Sequence, residues 1–444
     1  MDGLSRRLAR AARAIAADDL PETVIDKVRI GFLDMLSCAF EARDLPWGAQ
    51  AIALARRSSG VGSVIGTPFR VSTGDAAFAN ATLGHGLVRE DMHTGAVSHL
   101  GVVIYPALLA CAQRQVVSGR RFILAAACGY EIGAAIGRAL VDPKFVQFHR
   151  PTGTTGPIGA AAAGSILLDL NEGAMVSAIG FAANTAGGLN EWPYAGGDEM
   201  FFHPGFAARS AVTAVELAEL GAFAAEAALD GRAGLFASLD RGERALDVHA
   251  FRDGLWEILS VYYKPAPACN YAQTACQAAL ALGIPSREIE KITVRCSAAA
   301  VAYPGCNFAG PYERILQAKM SIQYCVAATL AQGRIAEENY RLLDDPEVAR
   351  LVFAMTLEAG DEFTAAYPGK QGAEVSVVLR GGATRTAQME DVIPATPDQI
   401  RHRFRLAASK ALGDGAAGRI EAFIDTLEEQ PDAGALGRLL EKDK

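Results

Sequence analysis

Three observations along the 444-residue chain predict a mainly α protein with an α+β part. Apolar residues recur at three- and four-residue steps through most of residues 1–264. β-branched, alternating stretches occur only after Lys264-Pro265-Ala266-Pro267, and helical spacing returns from Thr396 onward. The expected organisation is a large all-helical domain over 1–264, a smaller α+β domain over 265–395 inserted before the C-terminal helices, and 396–444 returning to the helical domain.

Leu20-Pro21-Glu22-Thr23 reads as a helix start and leads into VIDKVRIGFLDMLSCAF. Further helices are expected at 101–117, 121–140, 156–170, 172–187 and 205–228. Several are rich in Ala and Gly, as in GPIGAAAAGSILL and AIGFAANTAGG. Small residues let helices approach closely, but each glycine costs about 1 kcal/mol relative to alanine, so these segments depend on burial. EIEKITVRCSAAA and AEVSVVLRGGATRTAQME read as strands, the second with Gly-Gly as a hairpin turn. Between them RILQAKMSIQYCVAATLAQG (314–333) reads as one buried helix. TPDQIRHRFRLAASKAL and GRIEAFIDTLEEQ read as amphipathic helices.

Hydrophobic residues make up 50% and charged residues 21%, enough apolar chain for a sizeable core. The net charge is −8 and no Lys/Arg run stands out, which argues against a nucleic-acid partner. Eight scattered cysteines without a CxxC pair read as reduced, mostly buried thiols, and the expected location is cytoplasmic. The N-terminal stretch MDGLSRRLARAARAIAADDL mixes arginines with three acids and has no apolar core, so no signal peptide is expected. The longest apolar run, Gly101 to Ala112, is too short to cross a bilayer, so no membrane association is expected.

The chemistry concentrates in GHGLVREDMHTGAVSHLG, residues 84–101, which holds His85, His93 and His99 with Arg89, Glu90 and Asp91. The chain has seven histidines. With His149 and His203, five of them sit beside glycine or proline turns, so a shared pocket is expected; the alternative is unrelated core or surface histidines. Gly60-Val61-Gly62-Ser63-Val64-Ile65-Gly66 has one residue too many for a dinucleotide fingerprint, and Gly153-Thr154-Thr155-Gly156 lacks the lysine of a P-loop. Glu90-x-x-His93 is one half of a di-iron carboxylate motif, but the second half and any HExxH are missing, so no metal is expected. No GxSxG elbow is present. Acid–base chemistry remains: histidine titrates near neutrality, and a lysine in a dry pocket has its pKa lowered toward that range. Lys264, between Tyr262-Tyr263 and Pro265, fits that role, or else is a surface lysine ending a helix. Tyr324, within SIQYCVAATL, is either a site residue or a core tyrosine.

The motifs, in order, resemble the MmgE/PrpD superfamily of 2-methylcitrate dehydratases, cis-aconitate decarboxylases and iminodisuccinate epimerases. They are HGLVREDMH (85–93) with His99-Leu-Gly, GYEIGAAIGRAL (129–140), FHRPTGTTGPIGAAAAGSILLDL (148–170), the FHPG turn ending at 205, ALDGRAGLFASL (228–239), YKPAPACNYAQTACQAAL (263–280) and AKMSIQYCVAATL (318–330). The resemblance implies a helical domain with a smaller α+β lid domain, a cleft between them, a homodimer and no cofactor. It also implies a small di- or tricarboxylate substrate. His99, His149, Lys264 and Tyr324 fall on active-site positions of the family. An aspartate, a threonine and a lysine of the family are replaced by Val88, Met92 and Met200, the mark of a divergent member.

The expected activity is a cofactor-independent lyase of dehydratase or decarboxylase type, with an epimerase or isomerase, or a carboxylate-binding protein without catalysis, as alternatives. His99 or His149 would move the proton next to a carboxylate. Lys264 would stabilise the enolate or hold a carboxylate, and Tyr324 would donate a proton or orient the substrate from the lid. His93, paired with Asp91, would be a further acid–base group. Arg89, Glu90, Asp91, His85 and His203 are the expected substrate-binding residues.

Overall fold

The computed structural model describes residues 2–252 and 254–442. Two hydrophobic cores divide the molecule. The larger gathers residues from Leu4 to Tyr263 and then, beyond a gap of more than 130 residues, Ala395 to Leu440. The C-terminal helix Pro397–Leu412 packs along Glu22–Ala42, with Phe404 against Phe40. The smaller core is built mainly from residues 266–389 and also takes in Trp47, Val88, Trp192, Met200 and Phe201 from the helical half. The two cores therefore meet at a shared seam.

In the larger core Gly119–Leu140 and Pro151–Leu167 lie side by side. They touch through backbone: a Cβ on Gly159 would stand 2.6 Å from the Gly129 carbonyl oxygen. The small-residue pattern thus trades helix propensity for close approach. Gly119–Leu140 is long and apolar enough to cross a membrane, but 94% of its apolar window is buried inside the protein. It is longer than the twelve-residue apolar helix Gly101–Ala112.

Several expected boundaries shift. The GTTG segment lies inside the helix Pro151–Leu167, and FHPG lies inside Glu199–Glu219 with Pro204 in its second turn, so neither is a turn. The single helix expected at 314–333 is two, Ile315–Met320 and Ile322–Gln332. Ser321 separates them in an extended conformation, accepting the Tyr324 N–H as an N-cap and donating to the Phe308 carbonyl. The sheet has four strands, in the order Met355–Ala359, Ile289–Cys296, Ala373–Leu379, Thr384–Met389. The first pair is parallel, which demands the helical crossover through 298–353; the others are antiparallel, with the last two forming the Gly-Gly hairpin. The parallel strand Met355–Ala359 was not among the expected elements.

One small ladder positions the site. Met92–His93 pairs antiparallel with Val261–Tyr262, laying the histidine-rich segment beside the YKPAPAC segment. The Gln273 amide then donates to the carbonyls of Ala266, Ala268 and Cys269. Arg403 of the C-terminal helix donates to the carbonyls of Lys264 and Pro265.

Candidate active site

The helix Thr73–His85 is buried from Asp75 to its C-terminus and delivers His85 into the seam. The following turn is strained: Val88 adopts φ +59°, a left-handed conformation that is rare for a β-branched residue. That turn sends successive side chains in different directions. Glu90 points inward, accepting from His85 Nδ1 at 2.6 Å and lying 3.1 Å from His99 Nδ1. Arg89 points to Glu41 and Ser37, and Asp91 accepts from the Tyr130 hydroxyl and the Gly101 N–H.

The hydrogen bonds fix both histidine tautomers. His99 Nδ1 faces only acceptors, the Asp91 carbonyl at 2.8 Å and Glu90, so it carries the proton. Its Nε2 is left with a free lone pair, and the ring lines a buried cavity. His85 Nε2 accepts from the Arg150 guanidinium at 2.8 Å, which leaves its proton on Nδ1. Burial, reinforced for His99 by the charge of Lys264, lowers both imidazole pKa values and keeps the rings neutral. Burial alone would push Glu90 up, but the facing His85, His99 and Lys264 outweigh it and hold the carboxylate well below the usual range.

Lys264 is fully buried, with Nζ donating to the Ala268 carbonyl at 3.1 Å; burial lowers its pKa. It stands behind the cavity, facing Glu90, Cys269 and Arg150. The cavity itself, about 30 Å³, is lined by His99, Arg150, Cys269, Asn270, Tyr271 and Tyr303, with an apolar wall of valine, methionine and tryptophan. Among the described residues, no group of three His, Cys, Asp or Glu could hold a metal ion.

Residues 6–246 match the MmgE/PrpD N-terminal domain and residues 266–429 the MmgE/PrpD C-terminal domain. The chain belongs to the MmgE/PrpD family. It is 29% identical to the cis-aconitate decarboxylase-like protein oryM of Aspergillus oryzae, over 95% of this chain and 94% of that protein. It is 25% identical to a cis-aconitate decarboxylase of Aspergillus terreus (99% and 96% covered) and 26% identical to that of Homo sapiens (99% and 95%).

Within this MmgE/PrpD chain the structure brings together His85, Glu90, His99 and Lys264, with His203 at the edge. His203 is nearly buried beside Gly188, its Nδ1 unpartnered among the described residues, and its pKa is pushed down to about 3 by burial and by Arg150. The other expected residues are elsewhere. His149 and Arg150 are consecutive and extended, so their side chains point to opposite sides, and it is Arg150 that enters the cavity. His149 is half-buried against Phe145. His93 does not pair with Asp91: its Nε2 meets Glu257 at 2.9 Å and its Nδ1 caps the Ala96 N–H. Tyr324 is a core tyrosine whose hydroxyl donates to the carbonyls of Asn339 and Leu342. Arg89 and Asp91 flank the site without facing it.

Sequence reasoning missed Arg150, Trp192, Cys269, Tyr271 and Tyr303. Arg150 carried a usable signal, as the residue before the Pro151 helix start, where alternation allows only one of two neighbours inside. Cys269 and Tyr271 carried one as members of the YKPAPACNYAQTACQAAL motif, whereas Trp192 and Tyr303 carried none, the 303 segment reaching the site only through the second core.

Behind the site lies an unpaired carboxyl. Asp34 is fully buried and, among the described residues, neither oxygen has a hydrogen-bond partner. Burial, followed by the charge of Asp91, pushes it up to about 7, against the weaker pull of Arg403 and Arg89. A carboxyl whose folded pKa is raised contributes stability below its unfolded value, near 4, and loses it as pH rises through about 7. Asp34→Asn should therefore gain stability over the parent between pH 5 and pH 8, by about 2–3 kcal/mol. Urea midpoints at the two pH values test this; parallel curves would mean that Asp34 does not titrate in that window.

Proposed function

We propose that the protein is a lyase, of dehydratase or decarboxylase type, that moves a proton next to a carboxylate of a small di- or tricarboxylate. The observation that carries this reading is His99: a neutral imidazole with its proton locked on Nδ1 and a free Nε2 on a buried cavity. The decarboxylase names of the relatives support the same class.

In a dehydration, Nε2 takes the proton from the carbon beside the carboxylate. The electron pair forms the double bond as the neighbouring hydroxyl leaves, and the proton held on His99 Nε2 passes to it so that it departs as water. In a decarboxylation, the pair stays on carbon as CO₂ departs, and His99 Nε2 relays to that carbon a proton it takes up from water. Arg150 neutralises the carboxylate on which charge builds up, and Lys264 adds positive potential from behind, in a site largely shielded from water. An epimerase is less well supported, since His93, the further acid–base group expected for it, is committed to Glu257.

Arg150→Met should raise KM roughly 10- to 100-fold by removing a charge-assisted contact, whereas His149→Ala should change kcat/KM by less than about threefold. Proton NMR in D₂O with 2-methylcitrate, citrate, cis-aconitate, malate and 3-alkylmalates tests the activity. New product signals from bond cleavage are expected. Deuterium entry without net conversion would reassign the protein as an isomerase, and silence across substrates would remove the lyase reading.

A further inference from the structure

The cavity carries one full charge. Among its lining residues only Arg150 is ionic; the polar remainder is neutral, and the rest is apolar, with Val88, Met92, Val97, Met200, Met320 and Trp192. Lys264 and Glu90 stand behind this lining and face each other. Trp192 lies against the guanidinium, 5.2 Å from the guanidinium carbon to the ring centroid, while one guanidinium nitrogen donates to His85 Nε2. Met200 Sδ sits 2.9 Å from His85 Nε2, filling with a thioether the space beside the histidine–arginine pair.

Resting on the lyase reading, we propose that the substrate of this site is an alkyl-substituted dicarboxylate rather than a tricarboxylate. One carboxylate pairs with Arg150, and the second meets the neutral polar side chains of Asn270, Tyr271 and Tyr303, the first of which exchanges a bond to Gln371 and the second a bond to Tyr367 to receive it. The alkyl group lies on the valine–methionine wall. A third carboxylate would have to be buried against thioether and aliphatic groups, with its lost hydration uncompensated. At about 30 Å³ the cavity holds one or two waters, so its wall must yield to admit such a substrate. Unbranched methionines do this readily, since three rotatable bonds let them repack around ligands of different length.

The test is calorimetric titration of the full-length protein with succinate, 2-methylsuccinate, 2-ethylsuccinate and 2-butylsuccinate, and with propane-1,2,3-tricarboxylate. Turnover of 3-alkylmalates and of cis-aconitate is followed in parallel by NMR. Affinity is expected to rise about fourfold with each of the first methylenes and to exceed that for the tricarboxylate. Met200→Lys should reverse the order; if that variant does not fold, the parent series alone decides. A flat alkyl series, tighter binding of the tricarboxylate, or fastest turnover of cis-aconitate overturns the dicarboxylate assignment and leaves the lyase reading standing. Rising alkyl affinity without cleavage of any compound removes the lyase reading and leaves the dicarboxylate assignment standing.

Discussion

Exchanging His99 for asparagine lowers kcat by two to four orders of magnitude, the range a positioned general base contributes. Asparagine is the informative choice because its amide N–H can still donate to the Asp91 carbonyl and to Glu90, as His99 Nδ1 does. What disappears is the free Nε2. Stability should hold to within about 1–2 kcal/mol, since the single donor is kept. The parent enzyme should retain activity to a pH below the ordinary histidine range, because burial and Lys264 lower the pKa of this ring. Full activity in the asparagine variant would remove His99 from the mechanism. A loss of activity matched by a lowered melting temperature would indicate a folding defect instead.

The largest stability effect is expected at Lys319, a residue outside the catalytic proposal. Its ammonium is fully buried and makes three bonds: to the Leu87 carbonyl at 3.0 Å, the Pro267 carbonyl at 2.9 Å and Glu337 at 2.6 Å. It thereby joins the turn after His85 and the loop after Lys264 to the smaller core. Removing one partner of a buried ion pair strands the other, at a cost of about 3–5 kcal/mol. Lys319→Met leaves Glu337 buried and unpaired, where burial already raises its pKa. The double change Lys319→Met with Glu337→Leu should recover most of the loss, because two apolar groups replace both charges. Urea unfolding of the three proteins decides. A single-variant loss under about 1 kcal/mol, or no recovery in the double variant, would show that the strut carries little.

Much of the site was legible in its composition and little of it in its direction. The histidine-rich segment was recognisable as chemical, yet four of its neighbours diverge: Glu90 faces the cluster, Arg89 and Asp91 turn away, and His93 caps a turn. The strained turn at Val88 makes that assignment, and no local propensity announces a left-handed valine. Lys264 was read as a buried lysine on the strength of its aromatic flanks, and it is one. Tyr324 had the same kind of apolar setting and is a core residue, because its hydroxyl finds two carbonyls within its own subdomain.

By itself, the sequence determined the helical majority, the strands after residue 264, the return of the C-terminal helices and the family. These depend on periodicity and on motifs read along the chain, which need no knowledge of what lies opposite. Tertiary structure alone decided that Arg150 and not His149 enters the cavity. It likewise decided that Ser321 breaks a helix, that Met200 fills the space beside His85, and that residues near 303 close the pocket. The reason is physical: where a side chain points is set by its backbone angles and by the partner available across the seam, and that partner lies tens to hundreds of residues away in the chain.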